Sequence, residues 1–413
     1  MHSHAVSLAQ DFFAAILIIF VVGTMVSKLA HRWRIPDVVL FILIGIVIGP
    51  SVFGFVNISA NSALNQVILL FGASFILFHG GLVTSFSVLR RVWRTITLLS
   101  TLGVVITAFV VAVAAHYLLG MSFLLSLLLG ALLASTDPAS LVPIFQRFPI
   151  KKRVAQTVIS ESAFTDATGA ILTTVIFGLI VNKTSGSWWM IGVQFLQLAF
   201  GGLIIGGLIG WLAAYLISEN DRSLLRDFTP MVIVMSVLAS YLVAEHLHAS
   251  GFMSAFTAGL MVGNAPSLKL RILPHEEHSM HQFIDAIGLK LRMLIFTLLG
   301  SQVNFTVLRE YGLQSILVIL VFIIIARPLT VLSSLLPDRK AQWKRNEILF
   351  LFWTRETGVI AAALVGIVAS SNLPSADIMT SATFVAILMT LGLQASTTPL
   401  AARKLDLMHE PLR

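Results

Sequence analysis

The chain has 413 residues, of which 57% are hydrophobic and only 11% are charged, and its mean hydropathy is +0.93. Because an ordinary soluble domain has about 25% charged residues, this composition excludes a soluble fold. The sequence contains no cysteine, so disulfides and thiol chemistry are excluded too. The net charge of +8 could indicate a nucleic-acid partner, but the basic residues lie in short loops between apolar segments, where they set membrane topology. We therefore predict no nucleic-acid partner.

Apolar segments of about 20 residues, each long enough to cross the core of a lipid bilayer, follow one another along the chain. They predict an all-α polytopic membrane protein with about thirteen transmembrane helices. The predicted segments lie near 12–30, 36–54, 63–83, 95–117, 122–146, 152–181, 187–217, 228–248, 250–264, 281–302, 311–336, 344–371 and 374–402.

The distribution of basic residues predicts the orientation of the chain in the membrane. Of the 27 lysines and arginines, 21 fall on one side, only Lys183 and Arg309 fall on the other, and four lie within the segments. Since lysine and arginine collect in cytoplasmic loops, we expect the N-terminus outside and the C-terminus in the cytoplasm. The predicted location is the cell membrane, crossed many times.

Two of the predicted segments are interrupted at matching places. The fifth contains Ser135-Thr136-Asp137-Pro138, and the twelfth contains Thr354-Arg355-Glu356-Thr357-Gly358. The offset of seven segments is odd, so the two halves would have opposite topology, and paired interruptions of this kind indicate a transporter binding site. We predict one transmembrane transporter domain over 1–413, made of a first six-helix repeat (about 12–181), a linker helix (about 187–217) and an inverted second repeat (about 228–403).

Charged residues inside the bilayer are costly and are candidates for function. Pro138 removes a backbone donor and disfavours helix at the residue before it, so the fifth helix should open at Thr136 and Asp137. Freed carbonyl groups and the Thr136 hydroxyl could then face a cation. The alternative is a purely structural kink, with Asp137 capping the second half of the helix.

The sixth segment carries two carboxyl groups, at Glu161 and Asp166. On a helix, Ser162 and Asp166 share one face and Glu161 and Thr165 share another, and the two carboxyl groups point about 140° apart. Asp166 with Ser162 can face an aqueous cavity, while Glu161 can pair with a buried cationic side chain. Oxygen ligands suit sodium, lithium or potassium ions.

A carboxyl group removed from water holds a proton more tightly, so Asp166 could exchange a proton for a metal ion near neutral pH. Competition of the two ions for this one group is the simplest antiport mechanism. A structural carboxylate at Asp166 is the alternative.

Arg327 lies before Pro328 within an apolar segment, where an unpaired arginine would be very unfavourable. We expect a structural ion pair between Arg327 and Glu161. In the second interruption, Arg355 and Glu356 could pair with each other, or Arg355 could balance Asp137 across the crossing, and the sequence leaves this choice open.

Three further titratable residues have less certain roles in the sequence. Lys290 and Arg292 could line a cytoplasmic entrance, or could reach the membrane surface or pair with Asp285. His79, before Gly80-Gly81, could titrate near neutral pH and sense it, or could be an interior histidine with satisfied hydrogen bonds. No catalytic motif or metal-ligand cluster is present in the sequence, so we predict no enzyme activity.

Together these residues resemble the cation/proton antiporter superfamily, in its branch of bacterial and animal sodium/proton exchangers. The motifs that carry the resemblance are Thr136-Asp137-Pro138, Glu161-Ser162 followed by Asp166, Ala326-Arg327-Pro328-Leu329, Ser250-Gly251 and Ala258-Gly259-Leu260.

The resemblance implies thirteen helices, a homodimer and a core domain that moves against a dimerisation domain. It also implies binding of the metal ion at Asp166, at Ser162 and at the Thr136–Asp137 backbone, with Thr165 beside them. No cofactor is implied besides the transported ions.

Three departures from the family pattern bear on ion choice. The usual Asn-Asp pair reads Thr165-Asp166, and the Asp-Asp pair of electrogenic relatives is missing, which favours electroneutral one-for-one exchange. The glycine-rich stretch of the twelfth helix reads Thr354–Gly358, and His79 stands where an acidic residue is common. We predict exchange of Na⁺ (or Li⁺) for H⁺. The alternative is K⁺/H⁺ exchange by the same fold, and a cation channel or an intramembrane enzyme is a distant third.

Overall fold

A computed structural model of the chain describes residues 4–33, 36–136, 141, 145, 150–181, 188–219, 225–338, 341–371 and 373–408. Within these residues the regular secondary structure is helical, apart from one isolated antiparallel bridge between Ile150 and Met408. The predicted all-α class is confirmed.

The helices are numbered in chain order. They are α1 (His4–Trp33), α2 (Asp37–Ile48), α3 (Ala63–Val83), α4 (Phe86–Ser100), α5 (Leu102–Leu119), α6 (Phe123–Ala134), α7 (Lys152–Val181), α8 (Trp188–Ile217), α9 (Thr229–His246), α10 (Gly251–Gly263), α11 (Pro274–Ser301), α12 (Phe305–Val321), α13 (Arg327–Leu335), α14 (Arg345–Trp353), α15 (Val359–Ala369), α16 (Ala376–Met389) and α17 (Ser396–Lys404).

Many of these helices are long enough to span a membrane. Eight stretches of the described chain are long and apolar enough to cross a bilayer, and α2, α6, α10 and α15 are shorter apolar helices. The predicted twelfth span is broken, because α14 ends at Trp353 and α15 begins only at Val359. The two helices α12 and α13 form one continuous stretch through a π-helical turn at Phe322–Ala326, immediately before Arg327.

Glycines bring α8 against α10 within one chain. A Cβ atom added at Gly206 would lie 2.1 Å from the Ser254 carbonyl oxygen, and one at Gly210 would lie 2.4 Å from that of Ala258. No side chain fits at either place, so these small residues allow the close helix crossing that membrane proteins use.

The predicted fifth segment is interrupted after α6, and this first break packs against α7 through a similar glycine contact. Helix α6 ends at Ala134, and Ser135 has extended backbone angles (φ −73°, ψ 147°). A Cβ at Gly169 of α7 would lie only 3.2 Å from the Cβ of Ser135. The middle of α7 therefore approaches the point where α6 loses its helical conformation, and this approach builds the site described below.

The start of α7 is fixed by the segment that follows α17. The Lys151 amide donates to the Leu407 carbonyl at 3.0 Å, and the Asn346 side chain donates to the Leu405 carbonyl at 2.9 Å. Leu407 is buried in an apolar cluster with Val154 of α7. One end of the helix that carries both candidate carboxyl groups is thus anchored by backbone pairing and apolar contact.

Candidate functional site

Helix α7 carries two buried carboxyl groups, and they belong to different surroundings. Glu161 is 2% exposed and Asp166 is 4% exposed, so both are removed from water. They are five residues apart, which on a helix directs them to different faces. The contacts on each face decide what each carboxyl group can do.

Glu161 is held by Arg327, which is 1% exposed. The Arg327 Nη1 donates to Glu161 Oε1, and Nη2 donates to Oε2 at 3.0 Å, so the pair is bidentate. The guanidinium also donates from Nε to the Leu351 carbonyl at 2.8 Å and from Nη2 to the Thr354 carbonyl at 3.0 Å. A buried ion pair offsets its desolvation only when its hydrogen bonds are satisfied in this way. It joins α7, α13 and the end of α14.

The other face of α7 meets the first break through hydroxyl groups. The Thr136 Oγ1 lies 2.6 Å from the Thr165 Oγ1 and accepts a hydrogen bond from the Ser162 Oγ at 2.9 Å. All three residues are buried, and Asp166 lies one helical turn after Ser162. A carboxyl group beside several hydroxyl oxygens is the donor set that hard cations prefer. Binding of a proton or an alkali metal ion by this arrangement stays a prediction.

Asp137 and Pro138 lie outside the described residues. The end of α6 at Ala134 and the extended conformation of Ser135 show that the chain leaves the helix just before them. The contribution of the Thr136–Asp137 backbone to ion binding stays a prediction.

The second break, the non-helical segment between α14 and α15, contacts the end of α6 through Arg355. This residue is 2% exposed, and its Nη2 donates to the Ala134 carbonyl, the last residue of α6, at 2.8 Å. The guanidinium carbon also lies 5.3 Å from the centre of the Phe322 ring. A positive charge is favourable at the carboxyl end of a helix, where carbonyl groups point outward. The sequence offered Asp137 and Glu356 as partners of Arg355 but gave no sign of this carbonyl.

Two polar side chains beside the second break were also missed from the sequence. The Thr390 Oγ1 accepts from the Thr357 amide at 3.1 Å, and the Gln394 Nε2 donates to the Trp353 carbonyl at 2.8 Å. Both lie in a π-helical turn, Thr390–Ala395, between α16 and α17. Such turns are frequent at functional sites. A glutamine within an apolar segment was the sequence signal that could have found this contact.

The remaining candidates lie on α3 and α11. The His79 Nε2 lies 3.5 Å from the Asp285 Oδ1, and these side chains are 29% and 72% exposed. Lys290 is exposed and donates to the Ala286 carbonyl of its own helix at 3.4 Å. Arg292 is half-buried. The structure thus brings His79 to Asp285, and the entrance and pH-sensing roles stay predictions.

Comparison with known proteins agrees with this geometry. The family model described as "Sodium/hydrogen exchanger, transmembrane" matches residues 16–404. The chain belongs to this family. The chain is similar in sequence to the K(+)/H(+) antiporter NhaP of Alkalimonas amylolytica, with 31% identity over 94% of the chain and 66% of the relative. It is 28% identical to the Na(+)/H(+) antiporter 1 of Methanocaldococcus jannaschii, over 95% of each.

A solved structure has a fold similar to that of this chain. The sodium proton antiporter MjNhaP1 from Methanocaldococcus jannaschii, solved at pH 8, superposes with a TM-score of 0.83 and 27% identity over 96% of this chain and 99% of that one. The antiporter fold predicted from the sequence is confirmed. The chain spans just under two thirds of the Alkalimonas relative, at 66%, and nearly all of MjNhaP1.

Proposed function

We propose that the chain is a secondary antiporter that exchanges Na⁺ or Li⁺ for H⁺ across a membrane. The observation that carries the proposal is the placement of buried Asp166 one helical turn after Ser162, whose hydroxyl joins those of Thr136 and Thr165 where α6 ends. Membership of the exchanger family supports it.

The mechanism is competition for one carboxyl group. Asp166 holds either a proton or a metal ion, because the negative charge that attracts the cation disappears when the group is protonated. The Thr136, Ser162 and Thr165 oxygens replace part of the hydration shell of the cation. Asp166 by itself exchanges one proton for each cation, so one-for-one exchange follows unless a second carboxyl group takes part.

The Glu161–Arg327 pair has a structural role in this proposal. Its charges cancel, and its four guanidinium hydrogen bonds join the helices around the site. Because Glu161 is committed to Arg327, it does not compete with Asp166 for the transported ion. The pair keeps the site rigid while the occupant of Asp166 changes.

Potassium is the second candidate cation. It is favoured by one observation, the 31% identity to a relative that is named a K(+)/H(+) antiporter. Sodium is preferred because the relatives from Methanocaldococcus jannaschii and Aphanothece halophytica are named Na(+)/H(+) antiporters.

The assembly and orientation follow the same proposal. The chain works as a homodimer in the cell membrane, with its N-terminus outside and its C-terminus in the cytoplasm, as the bias of lysine and arginine between loops supports. It transports ions rather than catalysing a reaction, and needs no cofactor. Lys290 and Arg292 border the entrance for the cation, and His79 senses pH.

Proteoliposomes that enclose a pH-sensitive dye test the proposal. Addition of Na⁺ or Li⁺ to the outside should make the lumen alkaline in the intact protein and not in the Asp166→Asn variant. Asp377→Asn, at an exposed carboxylate in the first turn of α16, is the matched control and should behave as the intact protein. Unchanged proton movement in Asp166→Asn would refute the role of Asp166, and a response to K⁺ alone would replace sodium by potassium.

A further inference from the structure

The start of α4 presents basic side chains that the proposed exchange does not use. Arg90 and Arg94 are exposed, and among the described residues neither guanidinium has an ion-pair or hydrogen-bond partner. The sequence contains no aspartate or glutamate between Asp37 and Asp137, so α3, α4 and α5 carry no acidic side chain of their own. The positive charge of this region is therefore not compensated by neighbours along the chain.

Helix α4 bends where the membrane-spanning stretch begins. Val92 has non-helical backbone angles (φ −122°, ψ 16°), and the apolar stretch that is long enough to cross a bilayer is Val92–Leu119. Val92, Ile96 and Leu99 are buried, whereas Trp93 is 52% exposed. Exposed tryptophan is typical of the boundary between the hydrocarbon core and the lipid headgroups. The basic side chains on either side of Trp93 therefore lie near the level of the headgroups.

The tryptophan and the arginine that follows it form one unit. The Arg94 guanidinium carbon lies 5.4 Å from the centre of the Trp93 ring. An arginine stacked on an aromatic face keeps its planar set of N–H donors, which matches the oxygens of a phosphate group. Arg90, Trp93 and Arg94 are called the α4 surface below. It combines one apolar ring with two groups suited to phosphate.

The backbone that carries the α4 surface is fixed on both sides. The Asn264 Oδ1 accepts from the amide of Phe86, the first residue of α4, and the Asn264 Nδ2 donates to the Thr84 carbonyl, both at 2.8 Å. After the bend, the Thr95 Oγ1 donates to the Asp338 Oδ2 at 2.7 Å. Asp338 is 6% exposed, so this acid lies inside the protein. A surface on a fixed backbone loses little conformational freedom when a ligand binds.

The same segment contacts the beginning of α7, the helix of the ion site. The Trp343 Nε1 donates to the Thr95 Oγ1 at 3.3 Å, and the Arg153 guanidinium carbon, in the first turn of α7, lies 4.0 Å from the centre of the Trp343 ring. Leu99 of α4 and Val154 of α7 belong to one buried apolar cluster. A ligand that holds α4 at the membrane surface therefore also restrains the start of α7.

We propose that the α4 surface binds the phosphate group of an anionic phospholipid. Anionic headgroups attract basic side chains at the membrane surface, and the guanidinium groups supply the directed hydrogen bonds. A lipid fits better than a soluble phosphate because the exposed ring of Trp93 lies beside the acyl chains. The leaflet is the cytoplasmic one, which rests on the proposed orientation. The binding itself is independent of the proposed exchange at Asp166.

Native mass spectrometry of the detergent-solubilised protein, titrated with phosphatidylglycerol or with neutral phosphatidylcholine, tests the proposal. The intact protein should bind phosphatidylglycerol more tightly. Arg90→Gln/Arg94→Gln should weaken that binding about twentyfold, since each basic residue near a membrane surface contributes about fivefold. Arg90→Lys/Arg94→Lys keeps the charge and should lose less. The matched control Lys28→Gln/Lys404→Gln removes two exposed lysines near the ends of α1 and α17 and should bind as the intact protein does.

Equal affinity for the two lipids, unchanged binding in Arg90→Gln/Arg94→Gln, or equal weakening in the control would overturn the proposal. If the glutamine variant does not fold, a photoreactive phosphatidylglycerol is crosslinked to the intact protein in phosphatidylcholine vesicles that contain the probe as their only anionic lipid. Crosslinks should concentrate in residues 86–97, and crosslinks confined to other segments would overturn the proposal. Neither measurement needs transport, so the proposed exchange fails separately, by loss of Na⁺-driven proton movement in the intact protein or by its survival in Asp166→Asn.

Discussion

Glu161 and Asp166 lie five residues apart on α7 and are almost equally buried, yet their surroundings differ. Glu161 is matched by a bidentate guanidinium that also bonds two backbone carbonyls. Asp166 stands one turn from Ser162, whose hydroxyl joins those of Thr136 and Thr165 at the end of a broken helix. The same side-chain chemistry and the same burial thus occur on two faces of α7, one with a fixed cation at Glu161 and the other with a hydroxyl cluster at Ser162.

Burial alone does not decide whether a carboxyl group is a structural element or takes part in transport. A buried carboxylate with a permanent counter-charge is a structural element, because removal of either partner leaves an uncompensated charge. In the proposed mechanism, a buried carboxyl group near hydroxyl oxygens exchanges one bound ion for another. Variants at the two positions should therefore separate transport from stability.

The largest expected effect is on transport, at Asp166. Asp166→Asn should abolish cation-driven proton movement, because an amide does not take up or release a proton in this pH range and carries no negative charge to attract a metal ion. Its free energy of unfolding should change by less than about 1 kcal/mol, since the site is built to tolerate a neutral group. Flux in proteoliposomes and thermal unfolding in detergent measure the two quantities. A large loss in the free energy of unfolding of Asp166→Asn would mean that Asp166 is a structural group, as Glu161 is.

The next effect is on stability, at the ion pair. Glu161→Gln should lower the free energy of unfolding by about 3–5 kcal/mol, because Arg327 is left buried without its counter-charge. The double variant Glu161→Gln/Arg327→Met should lose less than this, since no charge then remains. Chemical unfolding in detergent checks both. Equal losses in the single and double variants would argue that the pair contributes no charge compensation.

A smaller effect is expected at the hydroxyl cluster. Ser162→Ala should raise the apparent KM for Na⁺ about three- to tenfold, the loss expected when one ligand or hydrogen bond of about 1 kcal/mol is removed. The maximal rate should be little changed. Ser160→Ala, a buried serine two residues away on α7, is the matched control. Equal KM shifts in both variants would mean that the hydroxyl of Ser162 is not a ligand.

The smallest effect is expected at the partly exposed pair of His79 on α3 and Asp285 on α11. Asp285→Asn should move the pH midpoint of exchange by less than about 0.7 unit, because partly exposed ion pairs contribute about 1 kcal/mol or less and one pH unit corresponds to about 1.4 kcal/mol. The pH profile of exchange in proteoliposomes measures it. A shift above one unit would mean that the charge of Asp285 controls pH sensing by His79.

The sequence predicted features that depend on local periodicity. The all-α class and the broken twelfth span follow from apolar lengths and from the polar run Thr354–Gly358. The two faces of α7 follow from helical geometry, and the cost of an unpaired Arg327 pointed to a buried acid.

Apart from the ion pair of Glu161 and Arg327, contacts between distant segments were not predictable in this way. The bond from Arg355 to Ala134 and that from Gln394 to Trp353 join groups that no spacing relates. They depend on how closely the two breaks approach, which depends in turn on packing such as that of Gly169 on Ser135. The partner of His79 depends on the angle between α3 and α11, which the sequence does not specify.

The pH dependence of the apparent KM for Na⁺ tests the central claim most directly. If proton and cation compete for Asp166 in the intact protein, the KM should rise about tenfold for each unit of pH below the point where protons occupy the site. Saturating Na⁺ should restore the maximal rate. A KM that stays constant while pH changes the maximal rate would contradict competition at a single carboxyl group.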